Sequence, residues 1–327
     1  MHKEYDCWLI WQVSEKCNFN CKYCWVISRS TGKIYSIDIK KLMNTLNKTK
    51  KIFYITIVGG GEPFLVPNII TATKELTKKH YLSIYSNLIS PRIKEFSEKI
   101  NPERVIYFNA SLHLEELESK KMLDKFIRNF KYLEKKGFNV HAIEVAYPPL
   151  SKKADYYKKL FKQKGINISF TPFVGKYNEK KYPESYTDSE KNAFSLSDKM
   201  LNIYHVKNKL CNAGYNAAEV DQNGDIRICK NFKKNLGNIY SEINLNNTII
   251  KCPYEICECP YFKFNDYLYL KALKENKGRL TNKHYNKTFL KINNLIGLIG
   301  LKIGESRPKI YCKLKKTKEV LIKKFHA

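Results

Sequence analysis

Arginine is scarce in this chain of 327 residues: seven Arg stand against 52 Lys, within a formal net charge of +28. Arginine is the side chain that grips phosphate bidentately, so a basic chain poor in it argues against a nucleic-acid partner. Lys, Asn and Ile are abundant together along the whole length, as an AT-rich coding sequence also produces. Long apolar runs are missing too, and none reaches the roughly 18 residues that a membrane span needs. The opening segment MHKEYDCWLIWQVSEKC carries charges where the apolar region of a signal peptide would lie. Ten Cys over this length are too sparse for a disulfide-stapled scaffold. Internal repeats and low-complexity tracts are absent. What is present is ordinary globular material, 43% hydrophobic and 28% charged, enough for a large buried core. The expectation is a soluble cytoplasmic protein whose cysteines are thiols or metal ligands.

Strand-like and helix-like segments alternate through the first half. CWLIWQV (7–13), KIFYITIV (51–58), YLSIYS (81–86), RVIYFNASL (104–112), FNVHAIEVAY (138–147) and INISFTPFV (166–174) are rich in β-branched and aromatic residues. Residues 37–49, 67–80, 90–99, 114–136 and 151–164 carry apolar residues at helical spacing. Pro67, the Ser90-Pro91 pair and Ser151 open helices; Gly137 and Gly165 sit where helices should end. Six β–α units with near-continuous apolar strands predict a parallel sheet covered by helices. Six units over residues 7–175 fall short of a closed eight-unit barrel, so the predicted fold is α/β, an open partial (β/α)6 TIM-like barrel. Residues 176–204 are polar and irregular and read as a bridging segment. Residues 205–260 read as a small Cys-rich module, in which AAEVDQNGDIRICKNF predicts a β-hairpin around Asn223-Gly224. Residues 261–327 form a basic, helical C-terminal extension holding 15 Lys, two Arg and four acids. Its apolar stretch FLKINNLIGLIGLKIG (289–304) reads as a core-packing helix hairpin, with an interfacial membrane helix as the alternative.

CNFNCKYCW places Cys17, Cys21 and Cys24 in a C-x3-C-x2-C pattern directly after the first strand. In parallel α/β folds, sites form on loops at the carboxyl ends of strands. Three close thiolates suit an iron–sulfur cluster, leaving one corner of a four-iron cluster open to an outside ligand. A structural zinc site wants four protein ligands, and no fourth Cys or His lies in the loop. Zinc or spare thiols remain the alternatives.

With its aromatic Tyr23 before the third Cys, this loop strongly resembles the signature of the radical SAM superfamily. Other matches fall in order along the chain. GGGEP (59–63) follows the second strand, where Gly60, Gly61, Glu62 and Pro63 resemble the family's SAM-binding motif. Ser86 and Asn87 end the third strand and Ser111 the fourth, where the family places SAM contacts. VHAIEVAYPP shows no recognisable adenine motif. The resemblance covers roughly residues 7–175. It implies a 4Fe-4S cluster on Cys17, Cys21 and Cys24, with S-adenosyl-L-methionine (SAM) at its open iron. Each polar match has a plainer reading beside it: Gly-rich strand ends make turns, and strand-end Ser and Asn satisfy backbone groups.

Cys211, Cys229, Cys252, Cys257 and Cys259 form a second group. CNAGYNAAEVDQNGDIRIC fits C-x12-G-x4-C, and KCPYEICECPY follows. This resembles a SPASM or twitch extension in truncated form, which implies a second, auxiliary 4Fe-4S cluster. Five cysteines exceed the four that one cluster needs, so one is surplus. A zinc-stapled hairpin is the competing reading. Cys7 and Cys312 read as buried small apolar residues.

The resemblance implies an oxidoreductase. It would cleave SAM reductively with a low-potential donor such as flavodoxin or ferredoxin, and the resulting radical would take hydrogen from a substrate. A small polar molecule, sugar- or cyclitol-like, leads as substrate; a peptide to be crosslinked or oxidised is the alternative. The first strand begins by residue 8, which argues against a leader-binding domain ahead of the core. Glu144, Tyr147, His113 and His141 fall at or within the fourth and fifth strands and read as packing or supporting residues. The basic extension points to an anionic surface or membrane-linked substrate, with peripheral attachment at the inner membrane surface.

Overall fold

The computed structural model describes residues 4–24, 26, 32–201, 207–255 and 266–276. All six expected segments of the first half are strands: β1 (Cys7–Gln12), β2 (Phe53–Val58), β3 (Tyr81–Ser86), β4 (Val105–Ser111), β5 (Val140–Ala146) and β6 (Ile168–Pro172). They pair in chain order and all in parallel. Between them run α1 (Ile39–Lys48), α2 (Ile69–Thr77), α3 (Arg92–Lys99), α4 (Leu114–Ser119), α5 (Leu123–Lys135) and α6 (Ala154–Gln163). The architecture is the α/β partial barrel read from the sequence.

Right-handed crossovers between strands that follow in chain order put every helix on the same face of the sheet. Burial follows that rule. On one face Leu9, Ile55, Leu82, Phe108 and Ala142 are at most 1% exposed. On the other, Ile10, Tyr85 and Tyr107 are half-buried and His141 and Thr171 exposed. Near-continuous apolar strands had predicted burial on both faces. The amino-terminal end of this second face is closed, by Tyr5 packing on Tyr54 and Tyr81 and by Tyr267 packing on Tyr5, and Trp8, Thr56, Ser83 and Asn109 on the same face are buried.

The segment 114–136 is two helices, not the one its periodicity predicts. Lys121 takes a left-handed φ of +53°, and Met122 N donates to Leu117 O at 2.8 Å, ending α4 in a Schellman turn without glycine. Gly137 (φ +86°) ends α5 in the same way, with Phe138 N on Leu133 O at 3.1 Å. The stretch 176–204 is also more ordered than expected. It contains the hairpin β7 (Gly175–Tyr177) and β8 (Lys180–Tyr182), then α7 (Asp188–Phe194) and α8 (Asp198–Leu201). A reciprocal capping box between Thr187 and Glu190 starts α7.

The predicted hairpin is present as β10 (Ala217–Val220) and β11 (Asp225–Arg227), with Gly224 at φ +87° in its turn. It does not stand alone. β10 pairs in parallel with β1, and β12 (Asn235–Asn238) and β13 (Glu242–Ile243) extend the sheet to ten strands. A six-strand sheet leaves the far edge of β1 unpaired, and β10 covers it. The short strands β9 (Leu210–Cys211) and β14 (Ile250–Lys251) pair separately.

The chain divides into two compact units, Met1–Tyr269 and Leu270–Ala327. Helix α9 (Asp266–Glu275) runs into the second unit. The stretch 289–304 and Cys312 lie outside the described residues. Among the described residues no helix is long and apolar enough to cross a membrane.

Candidate functional site

The loops leaving β1, β2 and β3 are bonded to one another. Gly61 N donates to Ser14 O and Glu62 N to Lys16 O, each at 2.9 Å, so the 59–63 loop lies against the start of the Cys loop. A Cβ on Gly61 would stand 1.9 Å from Lys16 O, and one on Gly59 1.6 Å from Gly61 O. Gly60 has more room, its nearest neighbour being Val26 Cγ2 at 3.3 Å. Close backbone approach therefore explains these glycines. None of the three has a positive φ, and Gly59, outside the motif match, is as constrained as Gly61.

Glu62 is 2% exposed. Its Oε1 accepts from Phe64 N (3.1 Å) and Ser86 Oγ (2.8 Å), and its Oε2 from Asn87 N (2.9 Å). Pro63 opens the short turn that Glu62 caps. Asn87 Nδ2 reaches Asn18 Oδ1 in the Cys loop at 2.8 Å. Glu62, Ser86 and Asn87 thus meet as the sequence expected, but the protein occupies both Glu62 oxygens. The carboxylate braces the loops from behind. Burial pushes it up to about 7, against the pull of its three hydrogen bonds.

Within the Cys loop, Cys21 is buried and Cys17 and Cys24 are half-buried. Phe19 N donates to Cys17 Sγ at 3.4 Å, and Cys24 N to Cys21 O at 3.1 Å. Burial raises the Cys17 thiol to about 11, with Glu62 and Cys24 adding to it. Cys21 is raised further by burial, then by Glu116, Cys17 and Cys24. The charges acting on both are negative. Such a set is poorly suited to hold bare thiolates and well suited to a positively charged metal centre. Among the described residues, no three His, Cys, Asp or Glu side chains converge on a single-ion site. A cubane cluster takes each thiolate on a different iron, so this donor set fits it.

Tyr23 leaves the loop toward β4 and β5. Its hydroxyl donates to Glu144 Oε1 and lies 2.9 Å from His113 Nδ1, the Glu144 contact being 2.9 Å as well. Since the phenolic proton goes to Glu144, His113 Nδ1–H must be the donor to the Tyr23 oxygen. Glu144 is 1% exposed and also accepts from Leu114 N (2.8 Å) and Val145 N (2.9 Å). Burial raises Glu144 to about 7 and lowers His113 to about 4, which keeps the imidazole neutral. Tyr147 packs 5.2 Å from the Tyr23 ring. Three residues that the sequence left as supporting groups therefore form one cluster around Tyr23. Ser111 stands apart, its Oγ 3.5 Å from Asn109 Oδ1.

In the second group, Cys211 lies on β9 opposite Ile250, and Cys252 follows β14, its N bonded to Lys209 O at 2.9 Å. Cys229 follows β11. All three are buried, at 7%, 8% and 9% exposed for Cys211, Cys252 and Cys229. Ala213 N donates to Cys211 Sγ at 3.4 Å and Phe232 N to Cys229 Sγ at 3.3 Å. Cys17 receives the same kind of N–H···S bond, which tunes cluster-bound thiolates. Cys257 and Cys259 lie outside the described residues. Cys7 is a fully buried core residue.

A parallel sheet thus carries three cysteines in the loop after its first strand, and that loop is bonded to the Gly-Glu-Pro loop after its second. Residues 11–153 match the model of the Radical SAM superfamily. A curated protein of Methanocaldococcus jannaschii, named as a candidate glycyl-radical enzyme activating enzyme, is 29% identical over 141 residues. The match covers 40% of this chain and 53% of the relative, so the chain spans about half the length of the curated protein it matches. Among solved structures, anSMEcpe with bound AdoMet is similar with a TM-score of 0.56 at 19% identity, over 72% of this chain and 78% of that one. Streptococcus suis SuiB bound to precursor peptide SuiA has a TM-score of 0.51 at 17% identity, over 88% and 69%. At these identities the likeness is one of fold.

Proposed function

We propose that this protein is a radical SAM oxidoreductase with its 4Fe-4S cluster on Cys17, Cys21 and Cys24. The bonding of the 59–63 loop and Asn87 to the Cys loop carries this reading, since it builds one rim from three strand ends. When bound, the cluster and SAM supply reductive cleavage of the sulfonium to methionine and a 5′-deoxyadenosyl radical, which takes hydrogen from the substrate. The chain's own residues do the positioning. The backbone of Gly60 and Gly61 would approach SAM from the loop that lies against the Cys loop, and Pro63 and Glu62 set the turn behind it. Ser86 and Asn87, both bonded within the protein, hold the end of β3 against Glu62 and the Cys loop, and Ser111 offers a hydroxyl at the end of β4. The Tyr23–Glu144–His113 cluster fixes the far end of the Cys loop.

A second, auxiliary cluster on Cys211, Cys229 and Cys252, completed from Cys257 or Cys259 in a SPASM- or twitch-like module, is supported by the burial of all three and by the N–H···S bonds to Cys211 and Cys229. It would accept an electron when the substrate is oxidised. The polar open face of the sheet supports a small polar substrate. A peptide substrate is the second reading, favoured by the peptide-bound structural relatives. A flavodoxin- or ferredoxin-type donor would supply the electron, and a cytoplasmic setting, with the basic extension at an anionic surface, fits both readings.

Anaerobic reconstitution tests the proposal. About eight irons per chain support two four-iron clusters, and about four remove the auxiliary one. Reduced protein should release 5′-deoxyadenosine from SAM, and C17A, C21A or C24A should abolish that release. Absence of release from the reconstituted wild type overturns the reading.

A further inference from the structure

His113 follows β4 in the left-handed region, at φ +49° and ψ +55°, a conformation unfavourable for a residue with a Cβ. Glu116 N and Leu117 N, each 3.0 Å from its carbonyl oxygen, hold that turn. The ring is clamped by the Cys loop, stacked on Tyr23 at 6.1 Å and edge-on to Phe19 at 5.9 Å. Its Nδ1 is engaged by Tyr23, and among the described residues no hydrogen bond reaches its Nε2. His113 is half-buried, so it keeps accessible surface at the carboxyl end of β4. Glu144, at the other end of this line of hydrogen bonds, is closed off from solvent.

The line has two consistent proton arrangements. With Glu144 ionised, Tyr23 donates to Glu144, His113 Nδ1–H donates to Tyr23, and Nε2 is a free acceptor. With Glu144 protonated on Oε1, the Tyr23 oxygen is the acceptor in reach, because Val145 N and Leu114 N are donors. Tyr23 then turns its proton to Nδ1, and Nε2 carries the imidazole hydrogen. We propose that His113, Tyr23 and Glu144 form a proton relay, in which His113 Nε2 takes a hydroxyl proton from the substrate and Glu144 stores the equivalent. One proton enters at Nε2, the Nδ1 proton passes to Tyr23, and the Tyr23 proton passes to Glu144 Oε1. His113 and Tyr23 end neutral, so within the protein only Glu144 changes charge. Burial favours this direction, with His113 lowered to about 4 and Glu144 raised to about 7. Glu116 pulls His113 the other way, Glu115 adds to the rise of Glu144, and Glu144 in turn raises Cys21 and Tyr157. The reaction class that uses such a relay is oxidation at a carbon bearing a hydroxyl. After the hydrogen atom has left that carbon, loss of the O–H proton and one electron forms the C=O bond. The proton goes to His113, and the electron to the oxidised four-iron centre that the proposed function assigns to the second Cys group. The source of the proton rests on that reading, whereas the relay rests on the hydrogen bonds.

Nitrogen-15 NMR of the full-length apoprotein with labelled histidine tests the relay, because the two ring nitrogens report which one is protonated. The His113 signals are assigned by their loss in H113Q. At pH 8 the Nδ1–H form should dominate by about ten to one, and at pH 6 the Nε2–H form by the same margin. Y23F cuts the relay and E144Q removes its store, so in either variant the ratio should be equal at the two pH values. A static brace keeps one tautomer throughout. An unchanged ratio in the wild type therefore overturns the proposal, as does a reversal that survives Y23F. If neither variant folds, the wild-type ratio still decides. Access to Nε2 is measured at pH 8 on the reconstituted protein with SAM, by diethyl pyrocarbonate modification mapped by mass spectrometry. His113 should be modified more slowly than the exposed His141, while the buried His80 stays unmodified. An unmodified His113 overturns the proposal by closing the entry. Absence of 5′-deoxyadenosine release from the reconstituted protein would fail the radical SAM reading while leaving the tautomer result intact.

Discussion

Glu62 offers the sharpest test of how the rim is held. Three donors point at its carboxylate, Phe64 N, Ser86 Oγ and Asn87 N, and the side chain is 2% exposed. Glu62→Ala would leave two backbone N–H groups buried without an acceptor, each costing about 1–3 kcal/mol. Ser86 can turn its hydroxyl elsewhere, so the expected loss is about 3–4 kcal/mol. Glu62→Gln keeps the shape and one acceptor oxygen, but its NH2 must face at least one of those donors. The expected loss is about 2 kcal/mol, clearly smaller than for Ala. Urea unfolding of the apoprotein, followed by near-ultraviolet circular dichroism at constant m, measures both. Working on the apoprotein separates the brace from any effect of cluster loading. If Glu62→Ala costs less than about 0.5 kcal/mol, or Gln costs as much as Ala, the brace is wrongly described.

Three further predictions follow from the same geometry. Glu62 and Glu144 are both raised from 4.5 to about 7, so between those values the folded state keeps protons that the unfolded chain has released. His80 and His113, lowered by burial from 6.5 to about 4, act in the opposite direction over much of this range, so the test is a difference: between pH 4.5 and 7 the stability of Glu144→Gln should fall less, or rise more, than that of the wild type, and an unchanged pH dependence would contradict it. Gly61→Ala should unfold the rim or abolish soluble expression, because its Cβ would meet Lys16 O at 1.9 Å, whereas Gly60→Ala, whose Cβ meets the Val26 side chain at 3.3 Å, should fold with a clearly smaller loss of thermal midpoint. Tyr23→Phe removes the hydroxyl shared by Glu144 and His113, and the thermal midpoint should drop by the equivalent of about 1–2 kcal/mol; an unchanged midpoint would mean that the cluster does not hold the loop.

Much of the candidate site was legible in the sequence because it is local. The spacing of Cys17, Cys21 and Cys24 and the run Gly60-Gly61-Glu62-Pro63 are contiguous motifs. The partners of Tyr23 were not legible, since His113 and Glu144 lie 90 and 121 residues away. The same holds for β10, which joins β1 in a pairing across more than 200 residues with no local signal.

By itself, the sequence determined the element order. Strand and helix periodicity, helix-ending glycines and short β–α connections act within a few residues, and they specified six parallel units and the Cys loop after the first. What it missed locally was chemistry without a glycine or proline to announce it, such as the left-handed Lys121 that divides α4 from α5. Only the tertiary structure decided which face of the sheet stays open, that the Cys-rich hairpin continues the main sheet, and that Glu62 faces inward as a brace. Those outcomes depend on crossover handedness, on an unpaired strand edge and on burial, which are properties of the assembled sheet and of no single segment.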